Sequence, residues 1–357
     1  MVSLALYSAA LYAITAFLFL FAAVRTLVPD RRAAHVYGAI EVFVVFLAIT
    51  IVSYDIANRP FDMEGDTAVY INFFNDLSFG LENPFQTFEP GFVGVVQLFG
   101  YFGLDYQSFF YVITFMFLWS YYLLIKAVFG RQSTWPLFVF GLVLFYPFFF
   151  SLTANIIRQG FALCFINVAL MCSVKGHWRR GGFFSLVAIL FHKSSIVYFP
   201  FFLFRRVVLR VSVYSVVGLW GAVSLASYFK LFGLLVASLF DVLSGYGLVI
   251  NYSDVDNVDY VTGFRWDFWA FSSLSVFLLI ALKWVGGLDK RETYVFYICA
   301  FLSCLHIAMF DVAYNDRFGI YSWIFYPLEL AYLIRAVSAN IANGKQRRDA
   351  QNKAIAV

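Results

Sequence analysis

Apolar runs long enough to cross a lipid bilayer dominate this chain and leave few folds open to it. About 20 apolar residues in a helix cross the hydrocarbon core. Leu4–Val24, Tyr37–Ala57, Tyr106–Ala127, Trp135–Thr153, Ile157–Val174, Val211–Phe229, Asp267–Trp284, Glu292–Phe310 and Arg317–Val337 each come close to that length. In lipid, where no water pairs with the backbone, a helix satisfies its own amides, so such runs are expected to be helical. Of the 357 residues, 62% are hydrophobic and 13% charged, against about 25% charged in a soluble domain. No stretch is polar enough to cover a soluble domain. The expected architecture is therefore all-α, a polytopic transmembrane bundle with about 9–11 spans plus re-entrant or broken helices. It fills residues 1–339 as a single transmembrane domain, and 340–357 forms a basic cytoplasmic tail that is expected to be disordered.

The first run lacks a basic leading segment and is too long for a typical signal-peptide core, so it is expected to be a retained span. Cys164, Cys172, Cys299 and Cys304 all fall inside expected spans. Their spacing and setting fit neither a disulfide framework nor a zinc site.

Cytoplasmic loops of membrane proteins are enriched in Lys and Arg. The basic residues cluster at Arg25/Arg31/Arg32, Lys126/Arg131, Lys175/Arg179/Arg180, Arg205/Arg206/Arg210, Lys283/Lys290/Arg291 and Arg335/Lys345/Arg347/Arg348/Lys353. All of these can be cytoplasmic together only if two segments do not cross in the ordinary way. Glu89–Leu104 must dip in from outside and return. Gly181–Phe204 must be a broken pair of short arms with His192-Lys193-Ser194 at the outer turn. Most acidic residues then fall outward, in Asp55–Asp105, at Asp241, in Asp254–Asp267 and at Asp311 and Asp316, with outer loops near 58–88 and 251–266. Arg59, Arg158, Lys193, Lys230, Arg265 and Arg317 are left on the acidic side. Ionisable groups at membrane depth are costly and mark functional candidates. Arg59 is the exception, an outer-loop residue with no motif around it. No internal repeat is evident, which weighs against an inverted-repeat transporter.

Several constellations carry possible chemistry. Arg158-Gln159-Gly160 opens a span, and a cation at a helix N-terminus opposes the dipole, so a negative group is expected beside it. A lipid-snorkelling arginine is the plainer alternative. His192-Lys193-Ser194 lies at a break between apolar arms, the kind of place where discontinuous helices frame a ligand. Tyr314-Asn315-Asp316-Arg317-Phe318 opens the last span, either as an Asp316–Arg317 structural pair or as a further outward cation. Converged, Arg158, Lys193 and Arg317 would cradle a pyrophosphate. Glu89-Pro90-Gly91-Phe92 begins the dipping segment. Its carboxylate is expected either to cap the helix or, partly desolvated, to have a raised pKa and accept a proton from a hydroxyl. Asp66, Tyr70 and Phe74 recur one helical turn apart; Asp62 and Glu64 lie just upstream. Asp254-Val255-Asp256 has the D-x-D pattern of metal-dependent sugar transferases, a triplet that an acidic loop also produces by chance, and no metal site is expected. Tyr252, Tyr260, Trp266 and Trp269 could stack on sugars or form an interfacial aromatic belt.

Taken in order, Gly65-Asp66 with Tyr70 and Phe74, Glu89-Pro90-Gly91-Phe92, Arg158-Gln159-Gly160, His192-Lys193-Ser194 and Asp316-Arg317-Phe318 resemble the EpsG-like, Wzy-type bacterial polysaccharide polymerases. The resemblance runs from about Tyr54 to Phe325. It implies a GT-C-like glycosyltransferase of the bacterial inner membrane with its active site facing the periplasm. Such an enzyme moves a glycan from undecaprenyl pyrophosphate onto a lipid-linked repeat unit. The resemblance implies no cofactor, metal or nucleotide sugar and no nucleic acid. Its partners would be the lipid-linked oligosaccharide, membrane lipids, a flippase and a chain-length regulator. Glu89, His192 and Asp66 are then the candidates for activating the acceptor. Arg158, Gln159, Lys193 and Arg317 are candidates for binding pyrophosphate, and Tyr70 and Tyr314 for touching glycan. O-antigen ligase, membrane O-acyltransferase and transporter remain as rival classes.

Overall fold

The structure is a computed structural model that describes residues 9–27, 34–60, 66–82, 88–130, 133–233, 238, 242, 261–286 and 293–355. Asp62, Glu64, Gly65, Tyr252, Tyr260 and the Asp254-Val255-Asp256 triplet lie outside the described residues, and the loops near 58–88 and 251–266 are described only in part. Helices are the regular structure throughout, with no strand among the described residues. The chain divides into two compact units, Met1–Arg205 and Arg206–Val357.

The first unit contains α1 (Ala9–Leu27), α2 (Ala34–Ala57), α3 (Thr67–Ser78), α4 (Pro90–Tyr101), α5 (Tyr106–Phe129), α6 (Trp135–Phe145), α7 (Phe148–Phe150), α8 (Ile157–Val174), α9 (Trp178–Ile189) and α10 (Phe199–Leu203). On α2, Val45, Ile49, Val52 and Ile56 are buried while Ile40, Phe43, Leu47, Ile51 and Tyr54 are exposed. A helix apolar on both faces fits a core on one side and lipid on the other. α8 is the most enclosed candidate span. It packs against α5, where Asn167 Nδ2 donates to Ser120 Oγ across 3.1 Å. A tight turn at Gly176, with φ +89°, returns the chain into α9.

Four described helices, Val36–Ala57, Tyr106–Phe129, Ile157–Val174 and Trp266–Val285, are long and apolar enough to cross a bilayer; a bent pair makes a fifth. This is fewer than the 9–11 expected. Apolar runs overstate helix length, because turns and caps cut into them. Trp135–Thr153 breaks by 73° between Phe145 and Phe148, where Pro147 lacks the amide needed to continue the ladder. Val211–Phe229 begins its helix only after Ser212, whose Oγ caps the Ser215 amide. That leaves 16 residues, about 24 Å at 1.5 Å per residue.

Both segments expected not to cross are built from short helices, and the second is interrupted. α4 has 12 residues, about 18 Å, against a core of about 30 Å. Gly181–Phe204 is α9, a break at Leu190–His192, a 3-10 turn over Lys193–Tyr198, and α10. A Cβ on Gly181 would stand 3.0 Å from Phe202, so the two arms fold back on each other.

The second unit contains α11 (Val213–Tyr228), α12 (Trp266–Val285), α13 (Thr293–Ala308), α14 (Asp316–Trp323) and α15 (Tyr326–Ile355). α15 carries helix through most of the stretch expected to be disordered. Buried Ser272, Ser273 and Ser275 of α12 form this unit's polar seam. Ser272 Oγ meets His306 Nδ1 at 2.6 Å and accepts from Trp323 Nε1, and Ser275 donates to Glu329. Arg265 is paired with Asp267 at 2.6 Å and lies over Phe268.

Candidate functional site

The residues singled out in the first unit meet where helices begin, end or break. The backbone brings them there. Gly91 N–H, an orphan donor in the first turn of α4, donates to Leu190 O at the end of α9, 2.8 Å away. A Cβ on Gly91 would stand 2.7 Å from that oxygen, so only glycine allows the approach. Phe191 packs on Phe161 and Phe165 of α8, with ring centroids 4.5 and 4.7 Å apart, which holds the break against the first turns of α8. Gly160 has a similar reason: a Cβ there would lie 1.9 Å from the Leu152 carbonyl in the π-helical turn Ser151–Asn155.

Glu89 sits at the centre, 4% exposed. It occupies the N-cap position of α4, but its side chain does not cap that helix. Instead Oε2 accepts from Arg158 Nη1 at 2.7 Å, and Oε1 faces His192 Nδ1 at 3.2 Å and accepts from the Lys193 amide at 3.0 Å. The expected rise in its pKa is reversed. Burial pushes the carboxyl up, but the hydrogen bond and charge of His192, the charge of Arg158 and the Lys193 amide outweigh it. Together they hold Glu89 well below the usual carboxylate range. An ionised carboxylate can only accept, so His192 Nδ1 carries the hydrogen of this contact.

Arg158 stands in the first turn of α8. The negative group expected beside it is Glu89. Its guanidinium lies 3.9 Å over the Phe88 ring, and Tyr70 also hydrogen-bonds it. Its Nε is buried and meets no hydrogen-bond partner among the described residues. The side chains of Arg158 and His192 keep 16% and 15% of their surface exposed, so the cluster is enclosed but not sealed. Gln159 is buried behind it.

Lys193 is exposed and shares the site through its backbone amide. Tyr70 is 5% exposed, with Phe92 edge-on at 5.9 Å and Phe88 at 6.2 Å. It forms part of the wall behind Arg158 and presents no open face for a sugar. Asp66 precedes α3, its amide bonded to Asn155 Oδ1 at 2.7 Å. Arg317 and Tyr314 belong to the second unit, where the Arg317 guanidinium lies 4.9 Å over the Tyr314 ring. Tyr314 itself has φ +56°. The neighbouring Asn315 is fully buried, donating to the Phe310 and Val312 carbonyls and facing His306 Nε2 at 3.4 Å.

Two groups carry more than the sequence suggests. Arg59 is a 9%-exposed hub of hydrogen bonds, contrary to its reading as a plain loop residue. His306 ties three helices together from a position where an apolar run gives no sign of a partner.

The model of the EpsG family matches residues 42–345, which include every group of this site. The chain belongs to the EpsG family. No curated protein and no solved structure matches it. Membership makes this a polymerase-like membrane protein of polysaccharide biosynthesis with a glycosyltransferase-like role. Its apolar helices fit a multi-pass membrane protein.

Proposed function

We propose that this EpsG-family chain is a polysaccharide polymerase working at the periplasmic face of the bacterial inner membrane. It transfers a growing glycan from undecaprenyl pyrophosphate to a sugar hydroxyl of a lipid-linked repeat unit, without metal or nucleotide sugar. The observation that supports this reading best is the Arg158–Glu89–His192 cluster: a cation beside a helix N-terminus, held by an internal anion, next to an oriented imidazole.

The chemistry assigned to it balances as follows. The acceptor oxygen bonds to the anomeric carbon of the donor, the bond from that carbon to the pyrophosphate oxygen breaks, and the electron pair leaves with the pyrophosphate. Arg158, with Gln159 and Lys193 alongside, meets the developing charge. The acceptor proton goes to His192, whose Nδ1–H is fixed by Glu89, which leaves Nε2 as the accepting nitrogen. Glu89 is a weak base while Arg158 and His192 hold it, so its role here is to orient His192. Asp66 is the third candidate and stands nearest the π-helical turn. An arriving pyrophosphate competes with Glu89 for the Arg158 guanidinium.

The test incubates purified protein with lipid-linked repeat units alone. A ladder of glycans at one-repeat spacing is the expected result. No ladder, but transfer of a single glycan once lipid A is added, would overturn the polymerase reading in favour of a ligase.

A further inference from the structure

Arg59 is a buried charged side chain that the chemistry above does not use, and three hydrogen bonds hold it. It lies just beyond α2, and its three kinds of N–H reach three segments. Nη1 donates to Ile56 O at the end of α2 (2.9 Å), Nε to Thr67 Oγ1 in the first turn of α3 (3.2 Å), and Nη2 to Ala154 O in the π-helical turn (3.1 Å). Thr67 Oγ1 donates to the same Ala154 carbonyl at 3.1 Å, and Asp66 N–H reaches the adjacent Asn155. The guanidinium lies 4.0 Å over the Phe110 ring of α5. Burial lowers Arg59 to about 10, with Tyr106 opposing the shift. A buried cation is costly unless it is hydrogen-bonded, and the bonds of Arg59 tie three segments together.

What it holds is the turn that leads into Arg158. Ala154 and Asn155 end the π helix, Ile156 makes the break with φ −99° and ψ 57°, and α8 begins at Ile157. π-helical turns strain the ladder and recur at functional sites. This one leaves the Ala154 carbonyl to be satisfied from outside the helix, and both Arg59 and Thr67 point a donor at it. Lysine presents a compact point charge and cannot reproduce a planar fork on three acceptors.

We propose that Arg59 is a positioning residue: by clamping the Ala154 carbonyl to α2 and α3 it sets the direction in which α8 presents Arg158. The proposal rests on the reading of Arg158 as the pyrophosphate-binding group. It adds Arg59, acting through the backbone, to the direct hold of Glu89 and Phe88 on that guanidinium.

The experiment compares the full chain, Arg59→Lys, Arg158→Lys and the double variant, with Thr67→Val as a milder probe of the same clamp. Three quantities are read: hydrogen–deuterium exchange across residues 151–160, the thermal midpoint in detergent, and the rate of glycan transfer. In Arg59→Lys, exchange is expected to rise across 151–160 but not in the second unit, and transfer to fall roughly 10–100-fold, the scale of a small misplacement of a reacting group. The double variant should transfer no worse than Arg158→Lys alone, while its losses in thermal midpoint add. Thr67→Val should move the same exchange in the same direction by less. Unchanged exchange across 151–160 in both Arg59→Lys and Thr67→Val would overturn the proposal, as would transfer losses that multiply in the double variant. If Arg59→Lys does not fold, Thr67→Val decides through the exchange readout. If the parent chain makes no polymer, the reading of Arg158 fails by itself, and the exchange arm still decides what Arg59 holds.

Discussion

Two buried glutamates organise the first unit, and they are held in different ways. Glu41 lies inside α2, fully enclosed, with Arg25 of α1 on Oε2 and with Lys126 at 3.3 Å and Tyr122 at 2.6 Å, both of α5, on Oε1. Every partner is a helix side chain, Arg25 and Lys126 from the last turns of α1 and α5, and none is a backbone group. Glu89 lies at a helix start and is met by a side chain from another helix start, an imidazole at a break, and the backbone amide that the break releases. The difference is one of access. Glu41 lies mid-helix, where backbone groups are already bonded, so only side chains close round it. The start of α4 and the break before Lys193 bring a spare amide to Glu89, and there the side chains of Arg158 and His192 keep one side towards solvent. Glu41 therefore reads as a fastener between spans, and Glu89 as part of a site.

The largest effect that sharpens this contrast is expected at Glu41. Glu41→Ala leaves the buried Arg25 and the half-buried Lys126 without their anion, and breaking a buried pair in this way costs about 3–5 kcal/mol. The thermal midpoint in detergent should drop steeply, while transfer per folded molecule stays near that of the parent. Intact stability, or a loss of transfer without a loss of fold, would break the comparison.

A smaller stability effect with a larger functional one is expected at Glu89. Glu89→Gln gives up charge-assisted hydrogen bonds worth roughly 1.5–3 kcal/mol and loosens the hold on His192. The sign with pH follows from its depressed pKa. The stabilisation is complete above the unfolded value of about 4.3 and fades as pH falls below it towards the folded value. The midpoint gap between parent and Glu89→Gln should therefore be widest near neutrality and narrow below about pH 4. Transfer should fall by about 10²–10⁴ if orientation of the base is lost. A gap that widens on acidification would contradict the geometry around Oε1.

Much of this was legible in the residues. The apolar runs are long enough to name their own environment, and the cations that broke the charge asymmetry were the ones worth following. Arg158 was reached through that exception and its place at a helix N-terminus, and His192 through the break beside Lys193. What could not be read depends on contacts distant in sequence. Arg158 and His192 are 69 and 103 residues from Glu89, and their arrival turns an expected rise in its pKa into a fall. Arg59 reads as a loop residue because the acceptor that gives it a role, Ala154, is 95 residues away. Hydropathy shows where helices run but not where they stop, so Pro147 and Ser212 shortened spans that the apolar runs made look continuous.

The central claim is that Arg158 grips a pyrophosphate with a fork rather than simply supplying a charge, and replacing it by lysine tests this most directly. Arg158→Lys keeps the charge and a long stem but cannot present two parallel donors. Removing one pre-organised donor from a developing oxyanion costs about 10²–10³ in rate. The variant, purified at matched level and given lipid-linked repeat units, is expected to fold and insert like the parent yet make little or no polymer. A full-length glycan ladder from Arg158→Lys would contradict the account and leave Arg158 as a charge paired with Glu89 and nothing more.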